Sequence, residues 1–406
     1  MLHNNVQSLA RKSLQYYQNP HDQVVVVMVP FPAQGHLNQL LQLSRLISAY
    51  NIPVHYVGTA THNRQAKLRV HGWDPLSISN IHFHELPSPT FQNPPPDPNS
   101  KIKFPYHLQS LFDAAAEELR SPVASLLRSL SDANRRVVIV NDSMMGSVVQ
   151  DFIRLPNAEA YTFHSISAFT SFFFRWETAG KPFPVDEEIL QKLPALDRCF
   201  TPQFTEFVIY QSDYAKNSSG RIYNSCKEME GTFLDLLSKQ EISGNTKQWA
   251  FGPFNPVRIE KGEEQNQRPT THKCLEWLDK QSMNEVILVS FGTTTSFSDE
   301  QIREIAIGLE KSKQKFIWVL RDADKGDVFV DDCGGRSMEL PDGHDDRLVT
   351  STMVERAVRI LMAQDYLGHE MRKRASKLGE SVRCSVVDGG STKVEFDAFI
   401  AHITRE

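Results

Sequence analysis

Residues 24–29 read Val-Val-Val-Val-Met-Val, and Pro30-Phe31-Pro32-Ala33-Gln34-Gly35-His36 follows at once. A β-branched run with no polar residue has no face to give to water. It is predicted to be a strand buried on both sides, which means a parallel sheet with helices on both faces. It is far shorter than the roughly 18 apolar residues of a membrane span. Prolines and glycine then end the strand, and Leu37 to Tyr50 place leucines on one helical stripe. The chain thus opens as strand, loop, helix. In open α/β sheets the loops at the carboxyl ends of the strands are where ligands bind.

The same alternation continues. Short strands are predicted at Val54–Val57, Ile81–Glu85, Val137–Val140 and Ala160–Phe163, with a helical stretch from Leu108 to Leu130. No two-residue hairpin joins any pair of strands, so parallel strands with helical crossovers are expected. A polar stretch, Arg258 to Thr271, reads as a linker. Beyond it the expected elements are a helix at Leu275–Asp279, a strand at Val286–Phe291, a helix at Asp299–Lys311 capped by Ser298, and a strand at Phe316–Leu320. From Arg321 to Thr352 no element is legible. Only helices follow, near Met353–Met362, Gly368–Gly379 and Lys393–Ile403. The expected organisation is a polar extension (1–22), a doubly wound α/β unit (23–256), a linker (257–272) and a second α/β unit (273–406). Two strands are too few for a complete doubly wound unit.

Composition narrows the function classes. The formal net charge of −5 attracts neither nucleic acid nor an anionic membrane. The five cysteines are scattered, with no C-x-x-C spacing, which suits a reducing compartment; a cytoplasmic protein and a monomer are expected. The first twenty residues are polar and mixed, so no secretory signal is expected. No H-E-x-x-H pattern occurs, and no metal is expected. The partners expected are small molecules.

Several residues carry possible chemistry. His36 lies where the first helix begins, and a helix N-terminus disfavours the imidazolium. A neutral imidazole is what a general base requires; the alternative is an incidental histidine in a packed turn. Gly35 lets a ligand approach the backbone. Asp142 ends another parallel strand and either orients His36 or caps a helix. Gly292 and Thr293 follow the first strand of the second unit and present N–H and O–H donors suited to a diphosphate, or form an ordinary turn. There is no G-x-G-x-x-G, which disfavours a nicotinamide oxidoreductase. Phe163, Phe169, Phe172, Phe173, Phe174 and Trp176 line an acceptor pocket or simply form core. His164 and Ser165 are polar points beside them.

These segments together resemble a known family. Pro30 to His36 with Leu37-Asn38-Gln39, then Asn141-Asp142-Ser143, Trp249 to Pro253, Cys274 to Asp279 and Val289 to Thr293 are similar, in order, to plant family-1 UDP-glycosyltransferases. Ile52 to Thr59 and Gly252 to Pro256 most resemble the zeatin O-glucosyltransferase group. The resemblance implies a GT-B type fold of two Rossmann-like doubly wound domains. It implies inverting transfer from UDP-glucose or UDP-xylose to a small acceptor, with no metal. His36 matches the base, Asp142 its carboxylate partner, and Thr293 and Gly292 the donor diphosphate loop. Gly35 and Ser165 fall near the donor; Phe163, His164 and Phe169 fall near the acceptor. The departure is in the second unit. The family's long donor-binding box, with its His-Cys-Gly-Trp-Asn-Ser motif, is absent, and Leu348 runs directly into Val349. Losing roughly three charge-assisted hydrogen bonds, at about 1.5–3 kcal/mol each, weakens donor binding by several orders of magnitude.

Overall fold

The computed structural model describes residues 23–406 apart from 71–72, 93, 95–101, 103–105, 192–198, 245, 256–272, 293–296, 321–348 and 364. The linker, Thr293 and most of the region without legible elements therefore lie outside the described residues.

The first unit is built on β1 (Val24–Val29), β2 (Val54–Thr59), β3 (Ile81–Leu86), β4 (Arg136–Asp142), β5 (Ala158–His164), β6 (Gly220–Tyr223) and β7 (Lys247–Ala250). They form one sheet in the order β3-β2-β1-β4-β5-β6-β7. Every pairing is parallel. The strand order reverses between β1 and β4, where Val29 sits opposite Asn141. A crevice opens at such a reversal because the two flanking crossovers leave in opposite directions.

The longer helices of this unit are α1 (Gln34–Ser48), α2 (Ala60–Leu68), α3 (Gln109–Glu118), α4 (Arg120–Ala133), α5 (Ala168–Thr178), α6 (Pro202–Tyr214) and α7 (Lys227–Ser238). The single helix expected over Leu108–Leu130 is two, meeting at Leu119. Pro122 explains the restart, because it has no N–H to continue the preceding ladder. Along β1 the side chains alternate between two cores. Val26 and Met28 join Val138, Val140, Tyr161 and Phe163 on one face. Val25, Val27 and Val29 join Val137 and Ile139 against α3 and α4 on the other.

The second unit holds β8 (Val286–Ser290) and β9 (Lys315–Val319), a parallel pair. α8 (Asp299–Ser312) and α9 (Ser351–Met362) cover one face with Ile305, Leu309 and Val358. On the other face Leu288 is 67% exposed. α10 (Tyr366–Ser385) then leads to α11 (Ser391–Ile403).

α11 departs from the expected boundary of the second unit. Its Phe396, Phe399, Ile400 and Ile403 enter the core of the first sheet. Phe399 is fully buried, with its ring 5.4 Å from Tyr161, 5.3 Å from Trp249 and 5.1 Å from Phe251. The Glu395 carboxylate accepts from the Ala250 amide at 2.8 Å. Arg135 donates to the Arg405 and Thr404 carbonyls beyond the helix end at 2.9 and 3.1 Å. The i, i+3, i+4, i+7 spacing marks an amphipathic helix in the sequence. It carries no information about which sheet that stripe covers.

Candidate active site

The loop after β1 is built to stop a strand and start a helix. Pro30 and Pro32 have no amide hydrogen to donate. The Ala33 amide turns back to the Phe31 carbonyl at 2.8 Å, and the His36 amide donates to Ala33 at 2.9 Å. Phe31 anchors the turn in the core, 4.4 Å from the Phe112 ring, and its own ring lies 5.0 Å from His36. His36 is thereby presented from the first turn of α1, above the reversal of strand order.

Asp142 ends β4 on the other side of that reversal and is fully buried. Its Oδ2 lies 2.7 Å from His36 Nδ1, whose side chain is 19% exposed. Its Oδ1 accepts from the Met144 amide at 3.0 Å. Both sequence readings of Asp142 are therefore realised, one oxygen for each. A carboxylate beside Nδ1 fixes the proton there and leaves the Nε2 lone pair outward. Among the described residues Nε2 has no hydrogen-bond partner.

Ser165, just past β5, is the third member. Its Oγ lies 2.9 Å from the same His36 Nδ1. The expectation for Ser165 was the donor sugar; its hydroxyl is in direct contact with the histidine. Behind it stands Gln39, whose Nε2 donates to the carbonyls of Gly35 at 2.9 Å and Ser165 at 3.1 Å. Asn224, after β6, donates to Gln39 Oε1 at 2.9 Å. Its Oδ1 accepts from the Phe254 amide at 2.9 Å. Gln39 and Asn224 were not singled out from the sequence. Gln39 had a signal, since three positions from His36 on a helix is a neighbouring face. Asn224 had none.

The acceptor-side expectations fare differently. Phe163 is corrected to core: it is fully buried with its ring 5.8 Å from Phe254, because strand alternation turns it into the α1–α11 layer. His164 faces the opposite layer, stacked 5.0 Å from Tyr223, its direct partner in register. Burial, reinforced by the charges of Arg175 and Arg221, holds this imidazole well below its ordinary pKa. Phe169 is half-buried, edge-on to Phe173 and Phe233 at 5.0 Å each. Phe172, Phe173 and Trp176 are buried with it between α5 and α7 and form core. An added Cβ on Gly35 meets nothing within 4 Å, so no protein atom demands glycine there. Gly292 follows β8 with φ +78°, in the left-handed region that favours glycine. It belongs to the second unit, and no described hydrogen bond joins it to His36.

Known proteins are similar to this chain over most of its length. Residues 22–256 match the family model described as Glycosyltransferase, N-terminal domain. Residues 202–330 match that of UDP-glucoronosyl and UDP-glucosyl transferase. The chain is 41% identical to Zeatin O-glucosyltransferase of Phaseolus lunatus, over 95% of this chain and 98% of that one. It is 40% identical to Zeatin O-xylosyltransferase of Phaseolus vulgaris, over 95% and 99%. Both alignments run over 466 positions against a chain of 406 residues, so at least 60 aligned positions of each have no counterpart here. In fold it is similar to Os79 from O. sativa, solved in complex with UDP, with a TM-score of 0.65 and 19% identity over 93% of this chain and 100% of that one. With its strand order, the loop before His36 and the paired Asp142, the chain belongs to the plant family-1 UDP-glycosyltransferases.

Proposed function

We propose that this protein transfers a sugar from a UDP-sugar, glucose in the first instance, to a hydroxyl of a small plant metabolite of the zeatin type. The observation that carries this reading is the His36–Asp142 pair, 2.7 Å apart at the reversal of strand order. Its context is a chain 41% identical to a zeatin O-glucosyltransferase. His36 Nε2 takes the acceptor hydroxyl proton as the oxygen bonds to the anomeric carbon from the face opposite UDP. The bond to UDP breaks with its electron pair, so the configuration inverts. Asp142 stabilises the imidazolium that holds the proton. The departing diphosphate is stabilised by oriented N–H and O–H donors, with Gly292 and Thr293 as candidates, and without a metal. We place the protein in the cytosol as a monomer. Among the described residues no helix is long and apolar enough to cross a membrane.

A second reading is favoured by the 60 or more aligned positions without a counterpart and by a second sheet of two described strands. In it the chain binds small acceptors without turning them over. UDP release from purified protein, given UDP-glucose with and without trans-zeatin, decides between the two. Acceptor-dependent release supports transfer. Its absence from folded protein that still binds zeatin establishes the second reading.

A further inference from the structure

We propose that Gln39 is a positioning residue that acts on His36 through Ser165, with Asn224 holding Gln39 in turn. The inference rests on the reading of His36 as the base, and its test is independent of turnover.

The direction of every hydrogen bond in this chain follows from one end. The Phe254 amide can only donate, so the Asn224 atom at 2.9 Å is its oxygen. The Asn224 nitrogen therefore faces Gln39, so the Gln39 atom there is its oxygen. The Gln39 nitrogen then points at two carbonyls, Gly35 and Ser165, which can only accept. Each amide is used without conflict, and neither can flip without setting like against like. The outer end is fixed by close packing. A Cβ on Gly252 would stand 2.5 Å from the Asn224 carbonyl carbon and the Ser225 nitrogen, so only glycine lets the Phe254 segment come this near.

The inner end reaches the histidine. Ser165 lies past the last paired residue of β5. Its carbonyl is tied by Gln39 to the turn that carries His36. That tie holds Ser165 Oγ 2.9 Å from Nδ1, where Asp142 Oδ2 already lies at 2.7 Å. With its proton on Nδ1, the ring donates to both oxygens. Acceptors on one ring N–H fix the tautomer and hold the ring so that the other nitrogen's lone pair faces outward, as they do for histidine ligands of metals. The Ser165 O–H is left to donate into the crevice.

The test uses the full chain and diethyl pyrocarbonate, which acylates an exposed imidazole nitrogen. The rate at His36 is followed by peptide mass spectrometry. Ser165→Ala is expected to slow acylation at least threefold. Gln39→Glu keeps the size of the side chain but has no N–H to give, and Gln39→Met keeps only its bulk. Both are expected to slow it to the same extent, with unchanged thermal unfolding. In Gln39→Glu/Ser165→Ala the rate should match Ser165→Ala alone, because Gln39 then has nothing to act through. Wild-type rates in both Gln39 variants, no effect of Ser165→Ala, or multiplied effects in the double variant overturn the proposal. Loss of acceptor-dependent UDP release in the wild-type protein would count against the proposed function and leave this result standing.

Discussion

The two sheets were built from similar sequence and came out differently. β1 is apolar on both sides and lies between two helical layers, with no residue more than 8% exposed. β8, Val-Ile-Leu-Val-Ser, is nearly as apolar, yet Leu288 stands 67% exposed. A strand's sequence states a demand for two covered faces; neighbours must meet it. In the first unit α1 and α11 cover one face, and α3 and α4 the other. In the second, α8 and α9 cover one face only. The first unit is completed by α11, which follows the second unit in sequence, so its core closes only when that helix is in place.

That contrast can be broken at several points. The largest effect should come from the fully built side of the crevice. His36→Ala is expected to lower acceptor-dependent UDP release by about 10²–10⁴-fold, and a loss under tenfold would remove the chemistry from the first unit. Next is the shared core. Phe399→Ala should cost about 3–5 kcal/mol, read as a lower urea midpoint of the first unit although the residue lies in the last helix. A cost within error would show that α11 does not complete that core.

A smaller effect is expected at the outer edge of the first sheet. His55 Nδ1 lies 2.7 Å from His84 Nε2, and the His55 ring is 5.2 Å from His82. Burial, then the charges of His84 and His82, lower the His55 pKa to about 4. The unfolded chain binds this proton near pH 6.5 and the folded one only near 4. Stability is therefore held above pH 6.5 and lost as pH falls toward 4. After discounting for its partial exposure, about 1 kcal/mol should go between pH 6.5 and 5. Urea titrations at the two pH values should show this drop, and His55→Gln should flatten it. Smallest is the open face of the second sheet. Leu288→Ser should change stability by less than about 0.5 kcal/mol, since little is buried there. A larger loss would mean that this face is covered in solution.

Much of the first unit was legible because its cause is local. A six-residue apolar run demands a doubly covered strand, and here the helices on both faces meet that demand. The proline–glycine loop specifies where that strand stops and where a histidine emerges. β6 and β7 were not legible, being four residues each, too short for a periodic pattern to stand out. The aromatic run at 169–176 was legible as apolar. Its use as core between α5 and α7 depends on a helix some sixty positions away in sequence.

By itself the sequence determined the parallel α/β plan, the loop that presents His36 and the carboxylate at the end of β4. Periodicity and residue chemistry act over a few residues and can be read there. Only the tertiary structure decided that Ser165 shares His36 Nδ1 with Asp142, that Gln39 and Asn224 stand behind it, that Phe163 turns inward, and that α11 returns to the first sheet. Each of these joins residues that are far apart in the chain, and such pairings are chosen by which surfaces can bury one another and which donors find acceptors.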